Sequence, residues 1–209
     1  MNDERNVSCG MDIVTEKDVK ITLLEYPTDA DWNEVKRIAL DTMNKKMVNE
    51  SDMAWRRRIL RACHSPIRDL KFKFKLENVP YWLQCEFVRH HEGVQPYVGT
   101  QRNDRQDHYD RRYAPQAAPV QMDWVMNGES LITVARKRLC GKATKEAQYV
   151  VLGMCKAVQE KCPEYVGFLV PNCCWQGGVC HESPCCGYNQ YCMSAGMVIG
   201  SSKWLSDHS

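Results

Sequence analysis

The chain has 209 residues, with 28 Lys+Arg against 26 Asp+Glu and a formal net charge of +2. Its 44% hydrophobic and 26% charged residues are those of a folded globular protein and exclude a disordered or collagen-like chain. No run approaches ~18 uninterrupted apolar residues, which excludes a spanning helix, and the near-zero charge excludes nucleic-acid binding by bulk electrostatics alone.

Residues 1–12 are polar and lack the apolar centre of a secretory signal, so a reducing, cytoplasmic compartment is expected. Val19–Leu24 predicts a short strand. Asp31 is placed to cap a helix with Trp32, Val35, Ile38, Ala39 and Met43 at helical spacing. Ser51 is placed to cap a second, reaching about Ala62, with Trp55, Ile59 and Cys63 on one side. Lys71–Leu76 alternates strictly, and Tyr81, Leu83, Cys85 and Phe87 alternate in turn, so Glu77-Asn78-Val79-Pro80 predicts a hairpin. Residues 92–119 predict a long polar loop, of a length that is usually functional or disordered. Helical periodicity returns over 123–139. It is stronger over 144–162, where Ala147, Val150, Val151, Met154, Cys155 and Val158 form one stripe. Beyond Pro163 the Cys-, Gly- and Pro-rich residues predict an irregular tail. The mixture predicts an α+β fold, an antiparallel sheet packed with helices.

The long loop opens on the most unusual segment, which runs from Arg89-His90-His91 to Thr100-Gln101-Arg102 and Arg105. Arg89, Arg102 and Arg105 offer guanidinium forks to phosphate or carboxylate, and Thr100 and Gln101 add neutral groups suited to a nucleobase or ribose. His90, His91 and His108 lie in the same stretch. It also reads as a solvated polar loop in which Asp104, Asp107 and Asp110 balance the arginines.

Arg89-His90-His91 followed by Thr100-Gln101-Arg102 resembles the R-H-R…S-x-R signature of the flavin-dependent thymidylate synthases, the ThyX family. Asn127-Gly128-Glu129-Ser130-Leu131 through Arg138 resembles that family's later helix, N-x-R-S-L-x-x-F-L-x-L-R. Glu146 then stands where the family often carries an acid. Upstream, Ser65-Pro66-Ile67-Arg68 resembles its T-P-F-E segment. The three blocks share the family's order over roughly residues 19–165. The departures are His91 for arginine, one extra residue before Thr100, Glu129 for arginine, Arg68 for glutamate and Thr133 for a polar amide. They mark a divergent, phage-type branch.

The resemblance implies a ThyX-like catalytic domain over residues 1–165 and a Cys-rich extension over 166–209. It implies conversion of dUMP to dTMP, with methylenetetrahydrofolate as carbon donor, reduced FAD as hydride source and NADPH regenerating the flavin. The flavin and folate carry the hard chemistry while the protein binds and orients, and no cysteine nucleophile is required. Arg89 is then expected between nucleotide and flavin, and Arg138 at the uracil edge, both in catalytic roles. Thr100, Gln101 and Arg102 are expected to hold the dUMP phosphate and sugar. Ser65, His90, His91, Asn127 and Thr133 are expected to hold FAD. The family assembles its sites at the junctions of a homotetramer, which is accordingly expected here, with no membrane or nucleic-acid partner. A related enzyme making a hydroxymethylated or otherwise C5-modified pyrimidine nucleotide is an alternative. From another class, a metal-tailed module could stack single-stranded nucleic acid on Trp55, Tyr97, Tyr109 and Tyr113.

Of 12 cysteines, Cys9, Cys63, Cys85, Cys140 and Cys155 are scattered, while seven crowd residues 162–192. The scattered five read as small buried hydrophobes. The crowded ones read as a structural zinc or iron–sulfur site, as reduced thiols in a packed tail, or as disulfides or a redox centre. For a metal, the ligands expected are Cys174, Cys180, Cys186 and His181.

Overall fold

A computed structural model describes residues 15–105 and 110–208. Cys9, Asp107, His108 and Tyr109 lie outside the described residues. Four strands, β1 (Lys20–Glu25), β2 (Lys71–Pro80), β3 (Val94–Val98) and β4 (Pro119–Asn127), form one antiparallel sheet in the order β1-β2-β4-β3. Helices α1 (Asp29–Asp41), α2 (Met53–Arg61), α3 (Tyr81–Phe87), α4 (Gly128–Arg138) and α5 (Lys145–Lys161) accompany it. Three short helices follow, α6 (Asn172–Trp175), α7 (Tyr188–Ser194) and α8 (Ser202–His208). The α+β expectation is met. Among the described residues no helix is long and apolar enough to cross a membrane.

Alternation explains the sheet. Phe72, Phe74 and Leu76 of β2 face Met126, Trp124 and Met122 of β4 in register, and all six are buried. Residues between them carry charge on the other face, where Lys73 approaches Asp123 and Lys71 pairs with Glu25. One face of the sheet is therefore core and the other is wet. Helix α5 lies against the core with the stripe read from its sequence, Ala147 to Val158, fully inside.

Several expectations need correction. Thr28, not Asp31, is the N-cap of α1; Asp31 sits at the third helical position and closes a capping box back onto Thr28. Likewise Asp52, not Ser51, caps α2, accepting from Trp55 N at 2.7 Å.

The larger correction is at Tyr81–Val88, expected as a second hairpin strand and found as helix α3. Apolar residues fall at 81, 82, 83, 85, 87 and 88, a density that satisfies either period. The turn expected at 77–80 does not form. β2 runs through it, with Asn78 at φ +60° in a bulge: Leu76 pairs with Met122 but Val79 with Val120. Beyond Pro80 the buried set Leu83, Gln84 and Phe87 is helical, and the Phe87 ring stacks on Trp124 with centroids 4.9 Å apart. The helix expected over 123–139 is in fact the end of β4 followed by α4, and the long loop contains β3.

Candidate functional site

Helix α4 starts where β4 ends. Asn127 closes the strand, caps the helix by accepting from Ser130 N at 2.8 Å, and donates its own N–H to Gly93 O. Ser130 Oγ in turn donates to Glu92 O at 2.7 Å, so the Arg89–Gly93 segment is tied to the first turn of α4. Gly93 makes this possible. Its φ is +64°, and any Cβ there would collide with the Asn127 amide and the Ser130 hydroxyl.

At the other end of α4, Arg138 reaches back to α3. Its Nε donates to His90 Nε2 at 2.8 Å, Nη1 to Glu86 Oε2 at 2.9 Å, and Nη2 to Glu86 O at 2.7 Å. Thr144 Oγ1 donates to the same carboxylate. All three guanidinium nitrogens are thus engaged, yet the second hydrogens on Nη1 and Nη2 have no acceptor among the described residues. Burial pulls Arg138 down from the usual guanidinium range, and the Glu86 carboxylate opposes that. His90 is pushed down to about 4, first by burial, then by the positive charges of Arg138 and Lys137. It stays neutral around pH 7 and accepts from Arg138.

Their neighbours line two clefts, while Arg138 itself borders a third cavity together with Thr133 and Lys137. One, of about 90 Å³, is bordered by Arg89, His90, His91, Ser130, Thr133 and Lys137. A second, of about 420 Å³, is bordered by Arg68, His91, Gly93, Val94, Gln95 and Asn127. Arg68 forks onto Glu129, Nη2 lying 3.3 Å from Oε1 and Nε meeting Oε2. The two positions that depart from the family pattern with exchanged charges therefore face each other as a pair. Ser65 is exposed on the short turn that carries Arg68 and borders neither cleft.

The expected phosphate group lies elsewhere. Thr100, Gln101 and Arg102 follow β3, whose Gly99 N donates to Gln121 O at 2.7 Å. Asn127 is six residues farther along β4, roughly 20 Å at ~3.3 Å per residue. One chain therefore gathers Arg89, His90, His91 and Thr133 around one cleft along α4, with Asn127 and Arg138 at its two ends roughly 16 Å apart at ~1.5 Å per residue, and leaves Thr100–Arg102 at the opposite end of the ladder. Thr100 Oγ1 accepts from Arg102 N, and Arg102 forks onto Asp104 at 2.8 Å. The Gln101 amide nitrogen is buried without an acceptor among the described residues. Trp55 is half-buried against the main core, with Lys36 Nζ over its ring.

Sequence reasoning missed Glu86, Thr144 and Lys137. The signal for Glu86 was its i,i+4 spacing to His90, hidden when Tyr81–Val88 was read with period two. Of the expected metal ligands, Cys174 is buried beside Cys173 and Cys192, whereas Cys180, His181 and Cys186 border a cavity that only Cys173 of that cluster reaches.

The fold is the one seen in a flavin-dependent thymidylate synthase structure, and two comparisons bear on it. A family model described as thymidylate synthase complementing protein matches residues 108–164, the stretch of β4, α4 and α5. Thymidylate synthase X (ThyX) from Helicobacter pylori, solved with FAD and dUMP, is similar in structure with a TM-score of 0.55 and 12% identity. The match covers 70% of this chain and 95% of that one. No curated protein matches the chain in sequence. The resemblance read from the motifs is borne out by the family match and the shared fold.

Proposed function

We propose that the protein is a flavin-dependent thymidylate synthase that methylates dUMP to dTMP, with methylenetetrahydrofolate as carbon donor and NADPH as reductant. The observation that carries this reading is the convergence of Arg138, neutral His90 and Arg89 at one end of α4, beside clefts bordered by His91, Thr133 and Asn127. The donor set fits an anionic, amide-bearing ligand: guanidinium N–H groups and the unspent Asn127 amide nitrogen, which packs into the space left by the missing Cβ of Gly93. FAD would be held by His90, His91, Asn127, Thr133 and Ser65, and when bound it supplies the hydride.

The protein's own part is charge and position. Glu86 and His90 fix the Arg138 guanidinium before substrate arrives, and its remaining N–H groups would offer a permanent charge to the uracil edge. There it would stabilise the electron-rich base as C5 attacks carbon, at no reorganisation cost. Arg89 would bridge nucleotide and flavin. The placement of Thr100, Gln101 and Arg102 about 20 Å from Asn127 along β4 supports a homotetramer, in which one copy's loop completes another's site. The exposed rings of Tyr97, on edge strand β3, and Tyr113 suit such a junction. Residues 1–165 are the proposed catalytic domain. The extension, 166–209, packs onto it through Phe168, Leu169 and Trp204.

Purified protein should carry or take up FAD, shown by its visible spectrum, and release tritium from C5-labelled dUMP when given folate and reductant. Arg138→Lys keeps the charge but loses the Nε contact and the fork, and should lower kcat/KM by about 100-fold. Protein that takes up no FAD and binds no dUMP would overturn the reading. Mass analysis of the product separates dTMP from a hydroxymethylated nucleotide.

A further inference from the structure

The tail builds a second polar centre that the proposed reaction does not use. Helix α6 carries Cys173 and Cys174 side by side, and α7 brings Cys192 onto them. The three sulfurs lie within 4.8 Å of one another, Cys173 3.8 Å and Cys174 2.6 Å from Cys192. The surroundings are preformed. Gly177 and Gly178, both at positive φ, reverse the chain after α6, and Gly178 N donates to Cys173 O at 2.9 Å. Ile199 N donates to Cys174 O, and Asn172 accepts from Arg136 Nε, which ties the cluster to α4. Cys174 and Cys192 are fully buried among Val170, Trp175, Tyr188 and Met197. Cys173 is half-buried and forms part of the wall of a cavity of about 560 Å³, to which Cys140 and Cys180 also contribute.

We propose that Cys173, Cys174 and Cys192 are three ligands of a thiophilic divalent cation, zinc in the first instance, whose fourth position opens into this cavity. Three sulfurs sharing a tetrahedral zinc at ~2.3 Å stand about 3.8 Å apart, the spacing already present between Cys173 and Cys192. Cys174 needs only to rotate outward by about 1 Å to match. Burial and the neighbouring sulfurs push Cys173 up to about 11 and Cys174 farther up, so without a cation both hold their protons. A cation would release them as it binds. Of the ligands read from the sequence, only Cys174 remains in this set. The cavity is also bordered by Thr133 and Arg138, so the cation would sit beside the proposed catalytic machinery without supplying any of its chemistry.

The test uses the full chain without a metal-binding tag, reduced, stripped with chelator and titrated with Co2+. One equivalent should produce thiolate charge-transfer bands and the visible bands of tetrahedral cobalt, and Zn2+ should abolish them. Cys173→Ser should weaken binding at least tenfold, while Cys85→Ser should leave it unchanged. In wild-type protein, zinc should protect the peptides bearing residues 173, 174 and 192 from alkylation, a readout that needs no variant to fold. Absence of the bands, their survival in Cys173→Ser, or protection confined to Cys180 and Cys186 would overturn the proposal. So would a Cys174–Cys192 disulfide in protein purified under reducing conditions.

Discussion

Arg138 Nε donates to His90 Nε2 at 2.8 Å. A guanidinium has no acceptor and keeps its protons, so the imidazole must offer a lone pair at Nε2 and carry its own proton on Nδ1. The pair fixes the His90 tautomer and the Arg138 orientation together.

Acid sensitivity follows. His90 titrates near 6.5 when unfolded and near 4 when folded, so between those values the unfolded chain binds the extra proton. Its contribution is full above about pH 6.5 and disappears as pH falls toward 4. With allowance for partial exposure, His90→Gln should remove on the order of 1–2 kcal/mol from the difference between pH 7.5 and 4.5. Urea unfolding at both pH values reads this directly. An unchanged difference would mean that His90 binds its proton equally well folded and unfolded.

Asn127 is both helix cap and proposed flavin ligand, and two substitutions separate these roles. Asn127→Asp keeps the acceptor for Ser130 N and should hold stability within about 0.5 kcal/mol, while Asn127→Ala should cost about 1 kcal/mol. Both lose the amide donor. Flavin titration should therefore show weaker binding in both, whatever their melting temperatures.

Gly93→Ala combines left-handed strain with collision against Asn127 and Ser130. A loss of more than about 2 kcal/mol is expected, because neither neighbour can retreat without breaking its hydrogen bond. Thermal unfolding measures it, and a neutral outcome would show that the segment before β3 repositions freely.

Arg68 and Glu129 form a solvent-facing pair, with side-chain exposures of 60% and 32%. Each single reversal, Arg68→Glu or Glu129→Arg, should lower the melting temperature slightly by setting like charges face to face, and the double exchange should recover most of it. The double variant also restores the family's usual charge at each position. If its flavin affinity matches wild type, the exchange is neutral to function. If affinity rises, the wild-type order of charges holds flavin back.

Some of this was decided by local sequence. The apolar stripe of α5, the alternation of Phe72, Phe74 and Leu76, and the ordered motifs through Arg89, Asn127 and Arg138 were legible because period and spacing are properties of adjacent residues. Other features were settled only in three dimensions. Tyr81–Val88 satisfied two periods, and the bulge at Asn78 together with the Phe87 stack on Trp124 chose the helix, which placed Glu86 opposite Arg138. Cys173, Cys174 and Cys192 met because glycines turned the chain between α6 and α7, although the sequence had placed Cys174 with Cys180 and Cys186. The physical reason is the same in each case. A side chain's own periodicity says which way it faces, but its partner depends on how distant segments pack, and no local pattern carries that information.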